Sequence, residues 1–364
     1  MRQGMNIKNR GAISNPEGRF DKEIREEFDD GWEKELETLP PLETILFLDH
    51  AKSLITKNKS PDLGFEQSIN PYRGCEHGCI YCYARPSHAY MDMSPGLDFE
   101  TKIFYKADAA KLLAEQLEKP KYICQSIVLG ANTDPYQPIE AKLKISRQIL
   151  ETLNRYNHPV IIITKGALIE RDLDILSDMA ERQLIKVAVS ITTLSTELKH
   201  IMEPRTATPR ARLRVVNKLS SAGIPVRIMA APMIPLINDM EMEKILKAAS
   251  ESGAQHASYT FIRLPYEVKN LFKQWLAKHF PERAEHVMSI IRQMRGGKEY
   301  DATFGKRMRG EGEFADLLAM RFKLACKRFK LNLIDSPTLN TQSFKRCKEI
   351  RKQLDLWDEN SDKF

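Results

Sequence analysis

Short apolar runs alternate with segments of helical periodicity from Ser68 to about residue 265. The runs are rich in Ile, Val and aromatic residues and are bounded by turn residues, a pattern typical of strands. We predict six strands: Ser68–Asn70, Ser126–Leu129, Val160–Thr164, Ile185–Ile191, Ile224–Ala230 and Ser258–Ile262. The segments between them, such as Glu140–Tyr156 and Ile169–Glu181, carry apolar side chains on one stripe. This alternation predicts a parallel sheet with covering helices.

The chain on either side of this region has a different character. Residues 1–67 show no regular pattern, and we predict an irregular N-terminal lead-in there. Beyond about residue 281 the pattern is helical, which predicts a helical C-terminal extension at 266–364. A chain of 364 residues can bury one sizeable core and carry a small appended region. We therefore expect one main domain, at 68–265.

The apolar stretches and the cysteines indicate the cellular setting. The longest apolar stretch, Ile228–Ile237, is too short to span a bilayer and contains two prolines. The first residues lack the apolar core of a signal peptide. We expect a soluble, cytoplasmic protein that makes no membrane contact. Three of the six cysteines fall within eight positions, which indicates metal binding rather than a disulfide framework.

The three crowded cysteines, Cys75, Cys79 and Cys82, have the spacing C-x3-C-x2-C on a loop after the first predicted strand. Such a loop can hold one corner of an iron–sulfur cluster and leave one iron open to a substrate or cosubstrate, whereas electron-transfer clusters are usually closed by four cysteines. The neighbouring Gly74 and Gly78 would let the backbone turn sharply.

A structural zinc site is the alternative use of the same thiols. His77 lies between Cys75 and Cys79, and three cysteines with one histidine form a common closed zinc set. On that interpretation the chain would be a non-catalytic, zinc-stabilised module that binds nucleic acid. A redox-active pair of cysteines would leave Cys75 without a role.

The pattern C-x3-C-x-aromatic-C, with Tyr81 as the aromatic residue, resembles the signature of the radical S-adenosylmethionine (SAM) superfamily. The resemblance covers roughly residues 65–265. It implies an α/β fold, a partial (β/α)6 barrel of the TIM type. It also implies a [4Fe–4S] cluster on Cys75, Cys79 and Cys82, with SAM on the open iron. An external electron donor would drive cleavage of SAM to methionine and a 5′-deoxyadenosyl radical.

Within the superfamily, the chain is most similar to the branch of spore photoproduct lyase and its uncharacterised relatives. The residues that carry this similarity are Cys82-Tyr83, Thr133-Asp134 and Thr164-Lys165. Spore photoproduct lyases use a cysteine as hydrogen donor shortly before the acidic residue that follows the second strand. This sequence has Ala131 in that place, which argues against photoproduct repair.

The other candidate site residues follow the predicted strands, at the edge where barrels of this kind place their ligands. They are Tyr81, Asn132, Thr133, Asp134, Lys165, Ser190 and Arg205 for cofactor binding. Residues 132–134 could receive the ammonium or ribose of SAM, or could form a helix-entry turn capped by Asp134. The resemblance implies that Lys165 and Ser190 contact SAM.

Two further side chains have both a functional and a plain interpretation. The planar fork of Arg205 could clamp the carboxylate of SAM or a substrate phosphate, or it could form a salt bridge within its loop. Tyr83, next to Cys82, is the candidate catalytic residue because it could stack on a ligand or relay a hydrogen atom. Simple packing is the alternative for Tyr83.

The positive charge is concentrated near the C-terminus. The net charge is +7, and residues 269–352 contain 20 Lys and Arg against 9 Asp and Glu. Such a region can meet phosphate backbones, or it can be a solvated helix face. Lys306–Arg309 is basic and has Phe304 close by to stack on bases. These features favour a nucleic-acid substrate, as for a repair lyase; a protein or a small molecule is the alternative.

The end of the chain suggests a partner. Gln353–Trp357 resembles the short peptide by which bacterial repair factors dock on the replicative sliding clamp. Its place near the end of the chain suits a tethered binding peptide. An amphipathic helix end would look similar.

Overall fold

Two sheets form the framework of the computed structural model, which describes residues 10–20 and 42–347. Their strands are β1 (Ile45–Leu48), β2 (Thr56–Lys57), β3 (Gln67–Ile69), β4 (Tyr72–Arg73), β5 (Lys102–Tyr105), β6 (Ile127–Leu129), β7 (Val160–Thr164), β8 (Ile185–Ser190), β9 (Val226–Met233) and β10 (His256–Phe261). The larger sheet has the order β10-β9-β8-β7-β6-β3-β2. All its pairs are parallel except β2 with β3.

The six predicted strands are β3 and β6 to β10. Their ends differ from the prediction by at most three residues, and the predicted parallel sheet is confirmed. Each strand pairs with the next one along the chain, an order consistent with a partial barrel. Because all six run in the same direction, their carboxyl ends meet at one edge, where α/β proteins place their ligands.

The two faces of the sheet differ. In β7 the buried Val160 and Ile162 belong to the main apolar core, while Ile161 and Ile163 on the opposite face are only half-buried. Lys165 continues this second face just beyond the strand. The sheet thus packs one face on the helices and leaves the other partly open.

Helices connect and cover the strands. They are α1 (Asp98–Thr101), α2 (Ala109–Leu117), α3 (Glu140–Leu143), α4 (Ile145–Arg155), α5 (Leu173–Glu181), α6 (Thr196–Met202), α7 (Pro209–Ser221), α8 (Met242–Glu251), α9 (Val268–His279), α10 (Ala284–Gln293) and α11 (Glu313–Arg328). The helix expected at Glu140–Tyr156 is in fact two helices. Lys144 separates them, because its left-handed conformation (φ +54°) ends α3.

The smaller sheet, in the order β1-β5-β4, was not predicted. Strands β1 and β2 fall within the lead-in at 1–67, and β3 begins at its last residue, so the prediction of an irregular lead-in is wrong for β1 and β2. Strands of two to four residues carry too little alternation to be recognised in a sequence. The small sheet matters for the site because β4 leads directly into the cysteine loop.

The C-terminal extension is less helical than predicted. No helix covers residues 294–312 or the described part of the chain after α11, 329–347. The first of these stretches contains glycines with positive φ angles, including Gly296, Gly305 and Gly312, which do not favour helix. Helix α11 packs on α8, where Arg321 pairs with Glu243 at 2.7 Å. The C-terminal extension therefore packs, through α11, on a helix that covers the larger sheet.

Two predictions concern what the protein contacts: the absence of membrane contact and docking on the sliding clamp. Among the described helices, none is long and apolar enough to cross a membrane. The proposed clamp-docking peptide, Gln353–Trp357, lies outside the described residues. The cytoplasmic location and the domain boundaries remain predictions.

Candidate active site

The loop after β4 carries Cys75, Cys79 and Cys82 at the carboxyl edge of the larger sheet. Cys75 and Cys79 are buried, Cys82 is half-buried, and all three are free thiols. Backbone hydrogen bonds fold the loop back on itself, from Cys82 N to Cys79 O at 3.2 Å, and tie Cys75 N to Phe99 O at 2.9 Å. Cys82 packs both against the small apolar cluster that contains Cys75 and against the cluster that contains Cys79, so the three thiols lie near one another.

The two glycines of this loop are required by its shape, as the sequence predicts. Gly74 (φ +80°) and Gly78 (φ +68°) both adopt the left-handed conformation. A Cβ atom at Gly78 would lie 2.7 Å from Oε2 of Glu100, and one at Gly74 would lie 2.9 Å from the His88 ring. Space and backbone conformation thus both exclude a larger residue.

We expect Gly78→Ala to destabilise the protein by roughly 1–3 kcal/mol, because it combines left-handed backbone strain with a clash against a buried carboxylate. It should also lower the iron bound after reconstitution, since the loop must shift. Chemical denaturation and iron analysis measure the two effects. Gly223→Ala is the matched control, because Gly223 also has a positive φ angle but has no atom within 4 Å of an added Cβ. Equal losses in the two variants would contradict the prediction.

Burial makes the free thiols poor acids. It raises the pKa of Cys75 well above the usual value, helped by Asp134, and it raises the pKa of Cys79 to about 12, helped by Glu203. Thiolates at these positions would therefore need a cationic centre to stabilise them. Bound iron would supply that charge, so this set of three sulfur donors fits an iron–sulfur cluster.

The zinc alternative fits the structure less well. His77 has its Nδ1 atom 3.4 Å from Oδ2 of Asp134, so that ring is already engaged. Within the described ranges, no three or more His, Cys, Asp or Glu side chains are grouped to hold a single ion. In a cluster, by contrast, each cysteine binds a different iron, so the thiols need not converge on one point.

Arg85 lies fully buried beneath the cysteine loop. Its guanidinium donates hydrogen bonds to the carbonyl oxygens of Gly78 (3.2 Å), Cys79 (2.9 Å), Pro95 (3.1 Å) and Gly96 (2.8 Å). It also forms an ion pair with the fully buried Glu100 at 2.5 Å. Glu100 accepts further hydrogen bonds from the N–H groups of Gly11 (3.0 Å) and Ala12 (2.8 Å). This pair fixes the backbone on which Cys79 sits.

Arg205 holds the same loop from another side. Its guanidinium lies 3.2 Å from the buried carboxylate of Glu76, and its backbone N–H donates to the carbonyl of His77 at 3.2 Å. The other oxygen of Glu76 accepts from the N–H of Ile139 at 2.6 Å. Arg205 thus forms a salt bridge, as in its alternative interpretation, but the partner lies on the cysteine loop and not on the loop of Arg205 itself. A contact between Arg205 and SAM remains a prediction.

Tyr81 belongs to a buried polar network. Its hydroxyl donates a short hydrogen bond to Glu203, which pairs in turn with the fully buried Arg212. Thr192 donates to the same carboxylate at 3.3 Å. The roles of Glu203 and Arg212 were not predicted from the sequence. The available signal was weak: an acidic residue two positions before Arg205 on a loop after the fourth predicted strand.

Residues 132–134 form a turn whose polar groups mostly bond within the chain. Asp134 accepts hydrogen bonds from Thr164 Oγ1 (2.7 Å), Tyr136 N (2.9 Å) and Lys165 N (2.6 Å). Burial would raise the pKa of Asp134, but His77 and these hydrogen bonds outweigh it and hold the pKa at about 2. The buried Thr133 donates to the carbonyl of Tyr72 at 2.9 Å. Asn132 is exposed.

Lys165 and Ser190 lie on the open side of this edge. The ammonium of Lys165 is 5.9 Å from the centre of the Tyr81 ring, and its charge lowers the pKa of Glu203 below what burial alone would give. Ser190, at the end of β8, is buried, and its carbonyl accepts from Arg212 at 2.9 Å. The structure thus brings Lys165 close to the cysteine loop. The contacts of Lys165 and Ser190 with SAM remain predictions.

Tyr83 lies at the rim of the site. Its side chain is 43% exposed, and its hydroxyl donates a short hydrogen bond to the carbonyl of Ala131. The guanidinium of Arg263 lies over the ring, 4.7 Å from its centre. An exposed ring fixed in this way can stack on a ligand, and its catalytic role stays a prediction.

The fold and the cysteine loop define a radical SAM protein, and comparison with known families agrees. The model of the radical SAM superfamily matches residues 69–249, and the chain belongs to this superfamily. An uncharacterized protein of Mycobacterium tuberculosis is 34% identical over 241 residues, which cover 65% of this chain and 71% of the relative. An uncharacterized protein of Methanocaldococcus jannaschii is 28% identical over 237 residues, covering 65% of this chain and 84% of that protein.

Solved structures show the same fold. Spore photoproduct lyase complexed with dinucleoside spore photoproduct superposes with a TM-score of 0.58 at 15% identity, and the match covers 78% of this chain and 79% of the lyase. At this level of identity the likeness concerns the fold alone. Membership in the superfamily implies an enzyme that uses SAM and a [4Fe–4S] cluster.

Proposed function

We propose that this chain is a radical SAM enzyme that acts on DNA or another nucleic acid. One observation carries the chemistry: Cys75, Cys79 and Cys82 lie buried on one loop at the carboxyl edge of a parallel sheet. They would hold the cluster through three irons. When bound and reduced by an external donor, the cluster supplies the electron that cleaves SAM to methionine and a 5′-deoxyadenosyl radical.

The chain's own residues would position SAM and exclude water. We assign the ammonium of Lys165 to the carboxylate of SAM, because it lies over the Tyr81 ring on the open side of the sheet. Four polar residues at the same edge would contact the amino and ribose groups of SAM: Asn132, Thr133, Asp134 and Ser190. Tyr81 would help to shape the pocket, since the network around Glu203 fixes its ring.

Three observations support a nucleic-acid substrate. The basic region at 269–352 carries a net charge of +11, the difference between 20 basic and 9 acidic residues. Phe304, 52% exposed, offers an aromatic ring beside this charge. A protein with the same fold is complexed with a dinucleoside.

Because Ala131 stands where the lyases have cysteine, we propose lyase-like repair chemistry on a lesion other than the spore photoproduct. The tail at Gln353–Trp357 would tether the enzyme to the sliding clamp.

The test is anaerobic reconstitution with iron and sulfide, followed by dithionite and SAM. We expect 5′-deoxyadenosine, quantified by chromatography, to form several times faster with DNA that carries mixed lesions than with an unrelated peptide. Binding of fluorescent DNA should weaken as salt rises. Formation of 5′-deoxyadenosine without any DNA binding would keep the radical chemistry and reject the nucleic-acid substrate.

A further inference from the structure

The stretch 294–312, between α10 and α11, lies against the carboxyl end of β10. Arg295 fixes it there, donating to the carbonyl of Lys306 at 3.0 Å and to the carbonyl of Ile262 at 3.0 Å. Phe261 N also donates to the carbonyl of Met308 at 2.9 Å. The basic stretch therefore borders the same edge of the sheet as the cysteine loop.

Arg263 lies where this stretch meets the cysteine loop. It follows β10 by two positions and covers the ring of Tyr83, the residue next to Cys82. Arg263 and the exposed ring of Tyr83 thus form one rim of the site. On the neighbouring stretch, the guanidinium of Arg307 lies 4.8 Å from the centre of the Phe304 ring.

The arginines of this rim and of the neighbouring stretch differ in how they are paired. Arg307 forms a two-pronged ion pair with Asp62, with distances of 2.7 Å and 2.5 Å. The donors of Arg295 go to backbone carbonyls. Arg263 is half-buried, and its Nε–H is shielded from solvent without a hydrogen-bond partner. Within residues 10–20 and 42–347, no carboxylate comes within ion-pair distance of Arg263.

A half-buried guanidinium that has no paired carboxylate and one shielded N–H without an acceptor is unfavourable unless an anion offsets its charge. Its planar fork matches the two oxygens of a phosphate, and an arginine that stacks on an aromatic ring keeps its edge free to donate. Two exposed rings, Tyr83 under Arg263 and Phe304 under Arg307, offer faces on which a base can stack. A phosphate joined to a base therefore suits this rim better than a lone carboxylate.

We propose that Arg263 binds a phosphate group of a nucleic-acid substrate at the entrance to the site, with a base stacked on an exposed ring beside it. This inference rests on the proposed function, because it names the residue that would hold the substrate. Arg263 would thereby place the strand next to Tyr83 and Ala131. The basic residues of 269–352, which follow Arg263 in the chain, would add weaker, less oriented attraction.

The test compares Arg263→Gln with Arg214→Gln in the full-length, cluster-loaded protein. Arg214→Gln is the matched control, because it removes the same charge from α7 in the helical layer. Arg214 pairs there with Glu170. Binding of a fluorescent single-stranded oligonucleotide is measured across a range of salt concentrations, and SAM binding is measured in parallel. Relative to the control, Arg263→Gln should weaken oligonucleotide binding roughly tenfold and reduce the salt slope by about one. The affinity of Arg263→Lys for the oligonucleotide should lie between that of the unsubstituted protein and that of Arg263→Gln, because lysine keeps the charge but lacks the planar guanidinium.

Each other outcome overturns the inference in a recognisable way. Equal oligonucleotide binding by both Gln variants would show that Arg263 holds no phosphate while the proposed function stands. A larger loss of SAM binding than of oligonucleotide binding would assign the guanidinium to the carboxylate of SAM. If the unsubstituted protein bound no oligonucleotide yet formed 5′-deoxyadenosine, the nucleic-acid substrate and the phosphate site would fall together.

Discussion

The Cys79→Ala variant is expected to form no 5′-deoxyadenosine above background and to lack the brown colour of the reconstituted protein. Cys79 is the middle ligand of the loop and is buried, so neither water nor a neighbouring side chain can replace its sulfur. A loop with two remaining thiols would lose one corner of the cluster. Iron and sulfide content, visible absorbance and chromatography of the nucleoside measure this effect.

The control for this variant is Cys124→Ala. Cys124 is half-buried just before β6, outside the cysteine loop, and it should be replaceable without loss of colour or activity. If Cys79→Ala kept its iron and formed the nucleoside, the assignment of the cluster to this loop would be wrong. A colourless native protein that bound one zinc ion would instead favour the structural zinc site.

The sequence predicts the strands and the cysteine loop well because both depend on local patterns. Strand β7 could be placed to the residue, since a run of five β-branched residues is typical of a buried strand. The roles of Gly74 and Gly78 follow from the need of a short loop to turn. In each case the signal lies within a few neighbouring positions.

The supports of the loop could not be predicted, because they join residues far apart in the chain. Glu203 meets Tyr81 across more than a hundred positions, and Glu100 meets the backbone of Gly11 and Ala12. Nothing in the local sequence distinguishes these carboxylates from solvated ones. Arg205 shows the same limit: its type and place suited a ligand clamp, but tertiary contact directs it to Glu76.

These long-range hydrogen bonds and ion pairs matter for function, because the cysteines that would bind the cluster lie on a loop without regular secondary structure. A loop of this kind holds its shape only if its carbonyl groups have fixed donors. The side chain of Arg85 supplies donors to the carbonyls of Gly78 and Cys79, the backbone N–H of Arg205 supplies one to the carbonyl of His77, and the Arg205 guanidinium pairs with Glu76 of the loop. The cysteine loop is therefore held by two arginines that are themselves paired with buried carboxylates.

The strongest test of this view is Arg85→Met. We expect it to lower the free energy of unfolding by about 3–5 kcal/mol, because it leaves the carboxylate of Glu100 buried without its cation. Both side chains of this pair are fully buried, so solvent screens their interaction little. Chemical denaturation measures the loss. Arg214→Met, which breaks an exposed ion pair with Glu170, should cost only about 0–1 kcal/mol.

Arg85→Lys separates charge from hydrogen bonding. An ammonium can neutralise Glu100 but cannot reach four carbonyl oxygens in the plane of a guanidinium. We therefore expect Arg85→Lys to keep more stability than Arg85→Met and still to bind less iron than the unsubstituted protein. Full iron content in the lysine variant would mean that the ion pair alone holds the loop. If Arg85→Met were as stable as Arg214→Met, the cysteine loop would not depend on Arg85.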